Sequence, residues 1–366
     1  MRIPLDAPNI GELEKEYVMR AFESGYVSSA GPMVAEFEER FAVYVGARFA
    51  VAIVNGTSAI HLALRLLDIG PGDEVIVPAL TFIATVNPVL YVGATPVIVD
   101  VDPATWNIDV DKMKKALTAR TRAIIPVHLY GNPADMTSLM KVAFNHNLRV
   151  VEDATEALGA TCKGKSAGTI ADMGVFSFNG NKVITTGGGG MLVTNNSDLA
   201  NRARLLVNQG REAGIFEYEH QEIGYNFRLN NLQAALGLAQ LERLPEFLKN
   251  KRRYAALYRE MFKDVTGLSW QKELGEAKSN WWLFSLLMDR EHFGENRAEV
   301  ARRLLARGIQ VRPLFTPLSR QPAFASAGFA KCPVAENLHE RGLNLPGASF
   351  LTEEDIYEVG RAILGG

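Results

Sequence analysis

The sequence predicts an α/β protein with a large domain, built on a mainly parallel sheet between helices, and a smaller C-terminal domain. Three observations carry this. Short β-branched runs alternate with helical stretches through most of the chain. Those runs are apolar on both faces, as strands covered by helices on both sides must be. After Pro245 the pattern changes to an amphipathic basic helix and then mixed short elements. At 366 residues the chain is too long for one small core. We therefore expect a large domain over 1–245 and a small one over 246–366.

The elements follow in order. AVAIV (50–54) leads into SAIHLALRLL (58–67), and EVIVP (74–78) into TFIATVNPVLYV (81–92). TPVIVDV (95–101) precedes a helical segment near Asp109–Leu117, and AIIPVH (123–128) precedes DMTSLMKVAFNHN (135–147). RVVED (149–153), GVFSF (174–178) and GMLVT (190–194) read as further strands. A helix from about Asn230 to Leu244 is expected to be interrupted by Pro245, with a second helix over 246–262. In the small domain WWLFSLLM (281–288) reads as a strand, AEVARRLLARG (298–308) as a helix ended by Gly308, and IQVRP (309–313) as a short strand.

Composition excludes some functions. Net charge is −2 with 22% charged residues, which gives neither the basic face of a nucleic-acid binder nor a polybasic membrane patch. No apolar run approaches the roughly 18 residues of a membrane span. Cys162 and Cys332 show neither metal-ligand spacing nor a disulfide framework, so no metal site is expected. The N-terminus lacks the apolar core of a secretory signal. Together these point to a cytoplasmic protein.

Gly159–Ser166 matches the GxxxxGK[ST] spacing letter for letter. A phosphate-binding loop needs a strand immediately before it and a helix opening at the Lys-Ser pair. Here the strand ends at Asp153, and the glycine-rich AGTIADMG follows, so a turn between strands is the better reading. The run Gly187–Gly190 disfavours a regular element, and it lets backbone pass close to a neighbouring segment or a bound group. Asn55-Gly56-Thr57-Ser58 joins a strand to a helix. Thr57 or Ser58 is expected at the N-cap, where free N–H groups and hydroxyls can bind a phosphate.

Asp153 closes an apolar run, near the C-terminal end of a parallel strand, where ligands of open α/β sheets bind. Lys182, in SFNGNKVITTGGGG, sits among Gly, Asn and Thr between two strands, an unusual setting for a solvated lysine. A lysine can form an imine with an aldehyde cofactor, and an acid can keep a pyridine nitrogen protonated. With a phosphate-binding helix start, these are the three handles that pyridoxal 5'-phosphate (PLP) requires.

Eight segments, SGYVSSAGPMVAEFEERFA, NGTSAIHLAL, PGDEVIVPALTFIATVNPV, GATPVIVDVD, IIPVHLYGNPADM, VEDATEALGA, FSFNGNKVITTGGGGMLVT and GYNFRLNNLQAALGLAQLE, resemble the DegT/DnrJ/EryC1/StrS family of PLP-dependent nucleotide-sugar aminotransferases. The resemblance spans nearly the whole chain. It implies the fold type I architecture of the aspartate aminotransferase superfamily, with a seven-stranded sheet. It also implies an aminotransferase that moves an amino group from an amino acid, glutamate first, to a nucleotide-linked keto-sugar. Within the family the chain is most similar to the branch acting on UDP-4-keto-6-deoxy-N-acetylhexosamines; GDP-4-keto-6-deoxymannose is the alternative acceptor, and a non-catalytic regulatory relative is another.

The resemblance carries roles onto positions. Lys182 matches the Schiff-base lysine and proton carrier, and Asp153 the partner of the pyridine nitrogen. Phe82 matches the aromatic residue stacked on the ring. Gly56, Thr57, Ser58 and Ser177 match the phosphate cradle. Asn226 matches a phosphate contact from a neighbouring subunit, which implies a homodimer with shared active sites. Glu156 stands where many members have Gln or His beside the cofactor's phenolic oxygen, and Gly188 replaces a frequent family Glu. Arg228, Arg211 and Arg312 are candidates for the nucleotide diphosphate, and Tyr26 and Ser28 for the sugar.

Overall fold

The computed structural model describes residues 1–212, 216–325 and 327–366. Its strands are β1 (Phe49–Ile53), β2 (Glu74–Pro78), β3 (Thr95–Val99), β4 (Thr121–Ile124), β5 (Arg149–Asp153), β6 (Thr161–Cys162) and β7 (Lys165–Ser166). They continue with β8 (Met173–Ser177), β9 (Gly190–Thr194), β10 (Leu268–Trp270), β11 (Ala277–Lys278), β12 (Phe284–Met288), β13 (Arg312–Pro313) and β14 (Gly342–Leu345).

The expected sheet is present. Seven strands run in the order β1-β9-β8-β5-β4-β2-β3. The pairs β3–β2, β2–β4, β4–β5 and β5–β8 are parallel, and β9 is antiparallel to both β8 and β1. Burial of β2 on both faces explains its lack of polar alternation. A second sheet, β10-β12-β14-β13, is antiparallel and belongs to the C-terminal third. It has its own apolar core, which includes Phe284, Leu286, Val300, Leu345 and Ile356.

Four local expectations change. The helix around Pro245 is not interrupted: Asn231–Phe262 is one helix with Pro245 inside it. Leu241, Leu244, Phe247 and Leu248 are buried on either side of the proline. Their packing offsets an interior-proline penalty of about 3 kcal/mol. The segment 81–92 holds a single-turn 3-10 helix, Ile83–Thr85, and a short helix, Asn87–Tyr91. Pro88 lies in the first turn of the latter, where its missing N–H costs nothing. In WWLFSLLM only Phe284–Met288 is strand, because Trp281 adopts a left-handed φ of 54°. In IQVRP only Arg312–Pro313 pairs into the sheet.

The phosphate-loop spacing resolves as a turn. β6 and β7 form a hairpin whose two turn residues, Lys163 and Gly164, have φ of 51° and 76°. That is the left-handed geometry of a two-residue hairpin, and no helix opens at Lys165. Among the described residues no helix is long and apolar enough to cross a membrane.

Candidate active site

Asp153 ends β5 and is 4% exposed. Its Oδ2 accepts a hydrogen bond from Thr85 Oγ1 at 2.7 Å, and Oδ1 accepts one from the Thr155 N–H at 3.2 Å. Thr81 and Thr85 hydroxyls lie 2.8 Å apart. Since the single Thr85 proton goes to Asp153, Thr81 donates to Thr85. The carboxylate is thus held by a buried hydroxyl chain at the carboxyl end of the parallel strands.

Lys182 lies in the connection between β8 and β9 and points into the same pocket. Its side chain is 14% exposed, with Nζ 3.9 Å from Glu156 Oε1 and 4.1 Å from the centre of the Trp282 ring. Burial pulls its pKa down, and the charges of Glu156, Asp153 and Asp6 oppose that pull. Glu156 Oε2 accepts the Tyr130 N–H at 2.7 Å. Burial pushes the Glu156 carboxyl up to about 7, against the stabilising charge of Lys182. The pocket therefore brings together two buried carboxyls and one amine.

The helix Gly56–Leu66 points its N-terminus at the pocket. Its cap is Asn55, not Thr57 or Ser58: Asn55 Oδ1 accepts the Ser58 N–H at 2.8 Å. With Asn55 capping the helix, Thr57 is not needed as the cap and lines the pocket instead. Asn55, Gly56, Thr57, Ser177, Gly188 and Gly189 line this end. The glycine run makes the tight crossing given as one of its readings. A Cβ on Gly190 would stand 2.7 Å from the Asn55 carbonyl carbon, so β9 crosses tightly over the helix start. Gly188 and Gly189 meanwhile border the cavity.

Phe82 stands at the mouth, 55% exposed, with its ring 5.6 Å from that of Phe315. The structure thus brings together Lys182, Asp153, Glu156, Phe82, Gly56, Thr57 and Ser177. Ser58 is not among the lining residues. Asn226 bridges Asn208 and borders a separate depression with Gln209 and Gly224. Arg228 and Arg211 share another cavity with Glu38 and Arg204. Arg312 is exposed on β13. Tyr26 and Ser28 offer their carbonyls to Asn231 and lie outside the pocket.

Sequence reasoning missed Thr85, Thr155, Trp282 and Phe315, all of which line the pocket. Thr85 carried a usable signal, a hydroxyl three residues after Phe82. Trp282 was hidden inside an apolar run that reads as strand.

The donor set suits PLP. A pyridine N–H offsets the excess negative charge of Asp153 and Glu156. The exposed face of Phe82 gives a flat ring a surface, and the helix start with its hydroxyls suits a phosphate.

Comparison with known proteins places the chain in a family. Residues 8–364 match the model of the DegT/DnrJ/EryC1/StrS aminotransferase family. A protein of Caulobacter vibrioides named GDP-perosamine synthase is 44% identical, with 98% of this chain and 96% of that protein covered. A UDP-N-acetyl-3-dehydro-alpha-D-glucosamine 3-aminotransferase of Acidithiobacillus ferrooxidans is 41% identical, over 87% of this chain and 84% of that one. The PLP form of Spr1654 from Streptococcus pneumoniae superposes with a TM-score of 0.93 at 29% identity, covering 99% and 98% of the two chains. The chain belongs to the DegT/DnrJ/EryC1/StrS aminotransferase family and is a PLP-dependent sugar aminotransferase.

Proposed function

We propose that this enzyme takes an amino group from an amino acid, glutamate first, and delivers it to the keto carbon of a GDP-linked 4-keto-6-deoxyhexose. The observation that carries the acceptor is the 44% identity, over 98% of this chain, to a protein named GDP-perosamine synthase. The motifs alone put a UDP-linked N-acetylhexosamine first. That second reading keeps support from the 41% identical Acidithiobacillus protein, whose name specifies a UDP-sugar.

PLP, when bound, supplies an electron sink for the pair left as a proton departs from the carbon bearing the amine. The chain does the rest. Lys182 holds the cofactor covalently. Its Nζ, beside Glu156 and the Trp282 ring, would be the group that takes the proton from the donor's α-carbon and passes it on, and burial lowers its pKa in the direction that role needs. Asp153, fixed by Thr85 and Thr155, holds a proton on the pyridine nitrogen. Gly56, Thr57 and Ser177 would hold the phosphate, and Phe82 would offer its ring to the cofactor. Glu156, with one oxygen tied to the Tyr130 N–H, has its other oxygen free toward Lys182 or the incoming amine.

In this reading two copies share their sites, with Asn226 reaching across the dimer to the phosphate. Within one chain Arg228, Arg312, Tyr26 and Ser28 lie outside the Lys182 pocket, so their proposed roles toward the nucleotide diphosphate and the sugar belong to the site shared by two copies. The test is amine transfer from glutamate to a panel of GDP-, UDP- and dTDP-linked keto-sugars. The highest kcat/KM is expected with the GDP-linked 4-keto-6-deoxyhexose. A higher value with the UDP-linked N-acetylhexosamine would replace the first reading with the second.

A further inference from the structure

We propose that Trp282 is a positioning residue that seats the ε-amino group of Lys182 whenever that group is not covalently engaged. The inference rests on the reading of Lys182 as the cofactor-bearing lysine. Its basis is the contact between the two side chains and the way the indole is pinned.

Lys182 Nζ lies 4.1 Å from the Trp282 ring centre, where the aromatic face attracts the ammonium form and accepts an N–H of the neutral amine more weakly. The ring is 3% exposed, so the contact is shielded from water. The residue is held at three points, one on the indole and two on its backbone. The indole Nε1 donates to the Asn181 carbonyl at 2.7 Å, one residue before the lysine. The Trp282 amide donates to Asn280 Oδ1 at 2.8 Å, and Asn280 Nδ2 donates to the carbonyls of Glu156 and Leu158 at 2.8 and 3.0 Å. The Trp282 carbonyl accepts from Lys251 Nζ at 3.2 Å; that ammonium is also held by Asp6 Oδ2 at 2.9 Å and the Gly347 carbonyl at 2.9 Å.

The consequence is geometric. One bond, Nε1 to the Asn181 carbonyl, couples the indole plane to the backbone that carries Lys182. The bonds through Asn280 couple the same residue to the backbone of Glu156. A lysine has a long, rotamer-rich side chain, and a released amine without a partner would sample many positions. The indole gives it one seat, on the wall of the pocket and beside Glu156 Oε1. Proton transfer depends on such placement, and a displacement of about 1 Å can cost roughly a hundredfold in rate.

The test uses the PLP-free protein first. Lysine labelled with ¹³C at Cε reports ring-current shifts, and the Lys182 resonance is assigned by its loss in Lys182→Arg. It is expected upfield of the other lysines, to remain upfield in Trp282→Phe, and to return to the ordinary range in Trp282→Leu. In the PLP-loaded enzyme, Trp282→Leu should slow the donor half-reaction by about 10- to 100-fold, with the donor KM moved less than about threefold. Trp282→Phe should recover most of that rate. An ordinary Lys182 shift in the native protein, or an upfield shift that survives Trp282→Leu, overturns the proposal. So does a native half-reaction rate in the leucine variant. If Trp282→Leu does not fold, the native and phenylalanine spectra still decide. If instead Lys182→Ala keeps the absorbance of bound PLP, the underlying assignment of Lys182 fails, whatever the ring current shows.

Discussion

Thr85 donates its hydroxyl proton to Asp153 Oδ2 at 2.7 Å, and this bond is buried at the floor of the pocket. Thr85→Val keeps the side chain's shape and removes the donor. A hydrogen bond to a charged group contributes about 1.5–3 kcal/mol, so affinity for PLP should fall by roughly tenfold to a hundredfold. Titration of the PLP-free protein with PLP, followed by fluorescence, measures this. An unchanged Kd would mean that Asp153 does not need its hydroxyl partner.

Glu156 gives the PLP-free protein a distinctive pH dependence. Its carboxyl is raised from the ordinary 4.5 to about 7 by burial. The unfolded chain releases this proton near 4.5, whereas the folded chain keeps it until about 7. The contribution to stability is therefore fully present below 4.5, declines as pH rises to about 7, and is flat above. Glu156→Gln does not titrate and should lose this part of the slope, a difference on the order of 2–3 kcal/mol. Asp6, raised to about 6, slopes the same way in both proteins and cancels in the comparison. Urea unfolding at pH 4.5 and pH 7.5 decides it.

Lys251 and Asp6 form an ion pair at 2.9 Å with side chains 1% and 4% exposed. Lys251→Met strands a buried carboxylate and should cost about 3–5 kcal/mol. Pairing it with Asp6→Asn should recover part of that loss. Denaturant midpoints of the two variants check both signs, and no recovery in the double variant would mean the loss is packing rather than charge.

Much of this was legible in the sequence, for identifiable reasons. Apolar runs such as VIVP (75–78) reveal a strand covered on both sides, because a polar side chain there needs a dedicated partner, as Glu74 at the strand's start has in Arg120 and Thr118. Asp153 and Lys182 stood out because each is a charged residue in an environment that should exclude it. Pro245 misled, because local propensity says nothing about the buried leucines and Phe247 that carry the helix through it. Trp282 and Phe315 were invisible for a related reason. Each reaches the pocket from the C-terminal third, and an aromatic that lines a cavity has the same letter as one in a core.

Gly190 tests the phosphate end. Its missing Cβ lets β9 cross the Asn55–Gly56 backbone, with an added Cβ standing 2.7–2.8 Å from those atoms. Gly190→Ala should push the strand off the helix start and weaken PLP binding by about tenfold or more, a loss of roughly 1.4 kcal/mol. Binding of pyridoxal, which lacks the phosphate, should change much less. Equal losses for the two ligands would move the phosphate to another part of the pocket.

The most direct test is to reduce the PLP-loaded protein with borohydride and map the modified peptide by mass spectrometry. Lys182 as the cofactor-bearing lysine predicts a stable pyridoxyl-phosphate adduct there, lost in Lys182→Ala together with the visible absorbance of the bound cofactor. An adduct on any other lysine, with Lys182 unmodified, would contradict it.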